Sequence, residues 1–260
     1  MDLHLTDKVV IVTGASAGIG LATAQLLTDE GAVVVGVSRQ PVESTIGDAG
    51  SVIAADLTDV DSASRIIETV VERYGRIDGL VNNAGGLHLR EGFLSITEEQ
   101  WLAAFQLNFH AARRMSRAAL PALLKTGAGS IVHVGSESAR LAATYNPDYA
   151  AAKLSLLSMS KSLATEFSPQ GVRSNVVTPG MTRTPLYERR GGFGEQIANA
   201  LGTDVDGAIE QVLNNLRPTL TRRMAEPNEV SAVIAFLISP LSSQVTGAEW
   251  IIDGGALPQI

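Results

Sequence analysis

Seven short apolar runs recur along the chain, and segments of helical periodicity separate them. The runs cover 8–13 (KVVIVT), 33–37, 51–54, 79–81, 130–134 (SIVHV), 172–177 and 249–252. Near-continuous β-branched stretches of this length suit strands that are covered on both faces. Helical patterns fall near 18–30, 59–74, 97–124, 148–168 and 227–238, with a further stretch near 205–217. Strand and helix in alternation predict an α/β chain whose mainly seven-stranded parallel sheet is doubly wound, with helices on both faces. Thr58 with Asp61, and Thr97 with Gln100, have the spacing of capping boxes.

Two segments break the rhythm. Residues 40–50 (QPVESTIGDAG) are short and rich in turn formers. Residues 184–226 mix glycines and charges, including Arg189, Arg190, Phe193 and Leu216, which suits a substrate-loop insertion acting as a lid. With 260 residues, 45% of them hydrophobic, and no linker-like stretch, residues 1–260 are expected to form one domain.

Composition removes several function classes. A net charge of -7 argues against a nucleic-acid partner. The absence of cysteine excludes a disulfide framework and a thiolate metal site, and four scattered histidines give no zinc-ligand spacing. The opening MDLHLTDK leaves no room for a signal peptide, and no run of 18 apolar residues suits a membrane span. A cytoplasmic protein with no membrane partner is the expectation.

The first run leads directly into Thr13-Gly14-Ala15-Ser16-Ala17-Gly18-Ile19-Gly20, which opens a helix. In that context, a glycine-rich turn suits a dinucleotide. Gly14 allows the turn, Gly18 lets backbone approach a pyrophosphate, and Gly20 lets helix and sheet pack closely. The expected architecture is therefore a Rossmann fold. A tight strand–helix turn without a ligand is the plainer alternative.

Further along stand Tyr149 and Lys153, four apart on a helix otherwise rich in alanine and leucine, with Asn146-Pro147 placed as cap and first helical residue. A free tyrosine titrates near pH ~10, and a nearby cation lowers that value. The pair thus offers a general acid or base.

Together these features resemble the short-chain dehydrogenase/reductase family. The resemblance is carried by the Thr-Gly-x3-Gly-x-Gly turn, Asn82-Asn83-Ala84-Gly85, Asn108, Ser136, Tyr149-x3-Lys153, Pro179-Gly180 with Thr184, Val245-Thr246-Gly247, and Asp253-Gly254-Gly255. It runs from about residue 5 to 255. It implies an NAD(P)-dependent oxidoreductase that interconverts a ketone and a secondary alcohol by hydride transfer. Tyr149 would be the general acid/base, and Ser136 would polarise the reacting oxygen; Ser138 is the rival serine. Lys153 would bond the nicotinamide ribose, and Asn108 would hold a water joining Lys153 to solvent or be a buried amide at a helix irregularity. The cofactor would lie along Gly14, Ser16, Ala17, Gly18, Ile19, Gly20, Ser38, Arg39, Asp56, Leu57, Asn83, Ala84, Gly85, Tyr149, Lys153, Pro179, Gly180 and Thr184. Asp56 could equally cap the next helix.

Where the Rossmann fingerprint carries an acidic residue after the second strand, this chain reads Val37-Ser38-Arg39. A guanidinium there suits a 2′-phosphate and favours NADP(H) over NAD(H). Leu87, His88, Glu137, Tyr145, Met181 and Leu186 are candidate pocket residues for a small carbonyl or alcohol substrate, with Glu137 expected to face water. The resemblance also implies a homotetramer or homodimer. Alternatives are a non-catalytic NADP-binding regulator, an epimerase or dehydratase of the extended relatives, and an enoyl reductase, whose tyrosine and lysine lie further apart.

Overall fold

The computed structural model describes residues 2–40, 49–141, 143–188 and 190–258. Most of the 40–50 segment, and Arg189, therefore lie outside the described residues. Seven parallel strands form one sheet: β1 (Val9–Thr13), β2 (Val33–Ser38), β3 (Ser51–Ala54), β4 (Gly79–Asn82), β5 (Gly129–Val134), β6 (Val172–Pro179) and β7 (Glu249–Ile252). Their order is β3-β2-β1-β4-β5-β6-β7, so the winding reverses between β1 and β4.

Alternation along the strands supplies two cores. Val10, Val12, Val81 and Val132 face α1 (Gly18–Asp29) and α9 (Pro227–Ile238), meeting Ala24, Leu27, Ile234 and Leu237. Val9, Ile11, Leu80 and Ile131 face the other way, onto Ile66 and Val70 of α2 (Ser62–Tyr74) and Met115 and Leu123 of α4 (Ala111–Thr126). Neighbouring residues of one strand thus serve opposite layers, and this produces the apolar runs in the sequence.

Helix boundaries depart from expectation in informative ways. The pattern over 97–124 divides into α3 (Glu98–Phe105), a π-helical turn at Gln106–His110, and α4. Thr97 and Gln100 do form the capping box of α3. Thr58 and Asp61 do not: the Thr58 hydroxyl donates to Asp56 Oδ1 at 2.7 Å, and α2 begins only at Ser62. The lid carries α6 (Pro185–Glu188), α7 (Phe193–Leu201) and α8 (Val205–Gln211), of which only α8 was expected. No described helix is long and apolar enough to cross a membrane.

The helix carrying the Tyr–Lys pair, α5 (Pro147–Phe167), is anchored at its first turn. Pro147 occupies the first helical position, where its missing N–H costs nothing. The Asn146 side chain does not cap the helix; its Nδ2 donates to Ser138 Oγ at 3.2 Å. Asp148 holds the end instead. Its Oδ1 accepts the Tyr149 N–H at 2.9 Å, and its Oδ2 accepts Arg90 Nε at 2.9 Å and Nη2 at 2.6 Å. Arg90 N–H in turn donates to Tyr145 O at 2.8 Å, which closes the loop after β4 onto the helix.

Two outcomes follow from these contacts. Asp148→Ala strands a mostly buried guanidinium, so it should lower the urea unfolding free energy by about 3–5 kcal/mol; a loss under about 1 kcal/mol would contradict the anchor. His133 in β5 is fully buried, 3.3 Å from Asn82 Nδ2, and burial with the charge of Lys153 pushes it down to about 3. The unfolded chain takes up that proton near pH ~6.5 and the native state does not. Stability should therefore fall as pH drops from about 6.5 toward 3, and His133→Leu should show a shallower fall in parallel denaturant titrations.

Candidate active site

At the carboxyl ends of the strands, where the winding reverses, a cleft of about 1420 Å³ opens. Such a position between oppositely wound halves is where open α/β sheets bind ligands. Thr13 stitches its floor: the hydroxyl donates to Val81 O at 3.1 Å and accepts the Asn83 and Ala84 N–H groups at 2.9 and 3.1 Å. Asn83 Nδ2 donates back to Thr13 O at 2.9 Å. The ends of β1 and β4 are thereby held at a fixed distance.

Gly18, at φ +55°, opens α1, and a Cβ on it would meet Thr184 Cγ2 at 2.9 Å. The lid thus begins by crossing directly over the glycine turn. Gly20 lies beneath, where a Cβ would meet Gly14 O at 2.2 Å, so helix and turn approach as closely as backbone permits. The first N–H groups of α1 have no side-chain cap at Ala17 and no acidic neighbour in the first turn. Free N–H groups at a helix start suit an anion. On that observation the residues present fit the diphosphate of a dinucleotide.

Gly14, Ser16, Ala17, Gly18, Ile19, Ser38, Arg39, Asp56, Leu57, Asn83, Ala84, Gly85, Ser136, Tyr149, Lys153, Pro179, Gly180 and Thr184 all line this cleft. Gly20 and Asn108 do not; each supports it from behind. Asn108 sits in the π-helical turn, its Nδ2 donating to Gly86 O and Ala104 O at 3.0 Å each while its Oδ1 accepts Gly86 N–H at 3.0 Å. A Cβ on Gly85 would meet Asn108 Oδ1 at 2.8 Å and Lys153 Nζ at 3.2 Å, so both groups converge on that glycine. Asp56 caps no helix, and bonds from the Thr58 backbone and hydroxyl, with help from the Arg39 charge, hold its carboxyl below the usual range.

Ser136, Tyr149 and Lys153 meet at one end of the cleft. Lys153 is buried, donates to Val134 O at 2.7 Å, and lies 5.8 Å from the centre of the Tyr149 ring. Desolvation pulls its pKa down to about 8. The expected lowering of the Tyr149 pKa by this cation does not occur within the protein. Burial raises that pKa, a hydrogen bond with Ser136 opposes the rise, and the charge of Glu137 adds to it. Ser138 is buried and occupied by the Asn146 amide, which leaves Ser136 as the serine that meets the phenol.

Over the remaining cleft the lid builds a core of its own. Met181, Tyr187, Phe193, Val212, Leu213 and Met224 pack together, with Leu87, Tyr145 and Leu186 against them. His88 stands exposed on the rim, and Arg190 is exposed outside the lining. Glu137 does not face water as expected. It is 4% exposed, and its Oε1 lies 3.1 Å from Arg217 Nη2, at the end of the lid. Burial raises its pKa, and Arg217 partly offsets that rise. Sequence reasoning missed Arg217, Tyr187 and the Arg90–Asp148 pair, and gave Asn146 only a capping role. Only Arg217 left a trace, as a cation directly before Pro218 at the end of a helical pattern.

Comparison with known proteins agrees with this geometry. The sequence model of a family described as enoyl-(acyl carrier protein) reductase matches residues 14–256. The 3-oxoacyl-[acyl-carrier-protein] reductase FabG of Vibrio harveyi is 32% identical over 259 residues, covering 97% of this chain and 98% of that protein. The uncharacterized oxidoreductase YvrD of Bacillus subtilis is 36% identical over 265 residues, covering 99% of each. Among solved structures, L-sorbose reductase from Gluconobacter frateurii, complexed with NADPH and L-sorbose, superposes with a TM-score of 0.90 at 29% identity, with 100% of both chains covered. The aldohexose dehydrogenase of Thermoplasma acidophilum gives a TM-score of 0.88 at 29% identity, covering 100% of this chain and 99% of that one. The chain belongs to the short-chain dehydrogenase/reductase family of NAD(P)-dependent oxidoreductases, which act on CH–OH and C=O groups.

Proposed function

We propose that this oxidoreductase interconverts a ketone and a secondary alcohol with NADP(H), using Tyr149 as general acid/base. The observation that carries the reading is the meeting of Ser136, Tyr149 and Lys153 in the cleft that the glycine turn opens. The nicotinamide, when bound, supplies or accepts the hydride. Burial keeps the Tyr149 phenol protonated at neutral pH, the form that donates to a carbonyl oxygen as it gains charge. Ser136, close to the same phenol, polarises that oxygen. Lys153, fixed by Val134 O, supplies positive charge below about pH 8 and hydrogen-bond donors for the cofactor's ribose. Asn108 fixes the Gly86 backbone beside it.

For the cofactor, Arg39 lines the cleft just beyond β2, where Ser38 stands in place of a carboxylate. A guanidinium offers a planar fork for a 2′-phosphate. The NADPH bound to the L-sorbose reductase supports the same choice. Reduction of an enoyl C=C bond, suggested by the description of the matching family model, is the second reading. The four-residue spacing of Tyr149 and Lys153, with Ser136 on the phenol, favours the carbonyl. We take 1–260 as one nucleotide-binding domain with a lid at about 184–226. The exposed Phe93, Leu94, Leu102 and Leu154 support self-association as a homodimer or homotetramer.

Tyr149→Phe should lower kcat by about 10²-fold or more while NADPH binding, followed by fluorescence titration, stays within about twofold. Near-normal turnover would remove the phenol from the mechanism. Arg39→Ala should raise the Kd for NADPH by about tenfold and leave that for NADH nearly unchanged. Equal shifts for both would remove the cofactor preference.

A further inference from the structure

Beside the Ser136–Tyr149 pair lies a polar group that proton and hydride transfer leave unused. Glu137 Oε2 is buried, meets no hydrogen-bond partner among the described residues, and points at Gly180, where a Cβ would come within 3.0 Å of it. Asn146, 1% exposed, leaves its Oδ1 unpartnered in the same way. Arg217 reaches over from the lid: Nη1 donates to the Tyr145 hydroxyl at 2.9 Å, and Nη2 lies 3.1 Å from Glu137 Oε1. Its Nε and Nη2 make no hydrogen bond of good geometry among the described residues. Glu137, Asn146, Tyr145 and Arg217 all line the cleft that also holds Ser136 and Tyr149.

Leaving one buried acceptor unmade costs about 1–3 kcal/mol, and more when it is charged. A ligand that satisfies this set must donate to two oxygens and accept from a guanidinium. Hydroxyl groups do both at once. A plain ketone would leave every one of these atoms unpaired. A carboxylate would suit Arg217 but meet the charge of Glu137. A second carbonyl, as in a 3-oxoacyl chain, would accept from Arg217 and offer nothing to Glu137 or Asn146.

We infer that the substrate is a polyhydroxylated ketone or the corresponding polyol, held beside its reacting carbon by Glu137 and Arg217 as specificity-determining residues. The inference rests on the ketone–alcohol reading above and names its substrate class. Arg217 lies across Glu137, with Nη2 3.1 Å from Oε1 and a side chain 16% exposed, so substrate entry would draw the guanidinium from Glu137 onto the incoming hydroxyls.

The test is NADPH consumption by the full chain with ketones matched in length: erythrulose against 2-butanone, fructose against 2-hexanone, and ethyl acetoacetate as a 1,3-dicarbonyl. The wild type should favour the hydroxylated member of each pair by about 10²-fold in kcat/KM, as sites built to bond a hydroxyl reject analogues lacking it. Glu137→Gln and Arg217→Met should each reduce that ratio at least about tenfold, with thermal melting in the presence of NADPH confirming a folded protein. Parity, or preference for the plain ketone or the dicarbonyl, overturns the inference while ketone reduction stands. Reduction of none of these compounds removes the ketone–alcohol reading and the inference with it. An unchanged ratio in a folded Glu137→Gln removes Glu137 from recognition. Should that variant not fold, Arg217→Met and the wild-type ratios decide the matter.

Discussion

The site depends on one buried ammonium. Lys153 spends a hydrogen bond on Val134 O, at the last residue of β5, and so fixes the depth at which α5 sits against the sheet. A charge withdrawn from water is tolerated only where neighbouring groups hold it in place. Here the strand end, the Gly85 loop and the Asn108 turn all close on it. Tyr149, one helical turn earlier, inherits its position from that constraint, and Ser136 inherits its own from β5. The π-helical turn has a cause within the same picture: the Asn108 amide is shared between its own helix and the Gly86 backbone.

The electrostatics differ from a simple pairing of phenol and cation. Lys153 is oriented toward a carbonyl, and for Tyr149 burial outweighs whatever favours the phenolate, so its pKa is raised. Burial and the carboxylate of Glu137 keep the phenol protonated, and Ser136 is what moderates it. Within the protein alone the phenol is therefore held in its protonated form.

The sheet was legible because its inner strands are buried on both faces, which leaves unbroken apolar runs in the chain, while the edge strands β3 and β7 are only partly buried. The glycine turn and Tyr149-x3-Lys153 were legible because close backbone approach and helical spacing are local properties. The lid was not. Its α7 contributes Phe193 and Ile197 to a small separate core, and a core gathered from short helices and loop ends has too short a periodicity to announce it. Glu137 was misread for a related reason: its partner Arg217 is distant in the chain, and only the fold joins them. Thr58 shows the reverse error, a local pattern that formed a different local bond with Asp56.

The packing under the lid shares no residue with the two clusters on the sheet faces. Changes in lid side chains can therefore redraw which molecules are recognised while the strand register and the glycine turn stay intact. A scaffold partitioned in this way can diversify by drift in one region without endangering the other, which is how a single ancestral architecture can come to serve many unrelated metabolites.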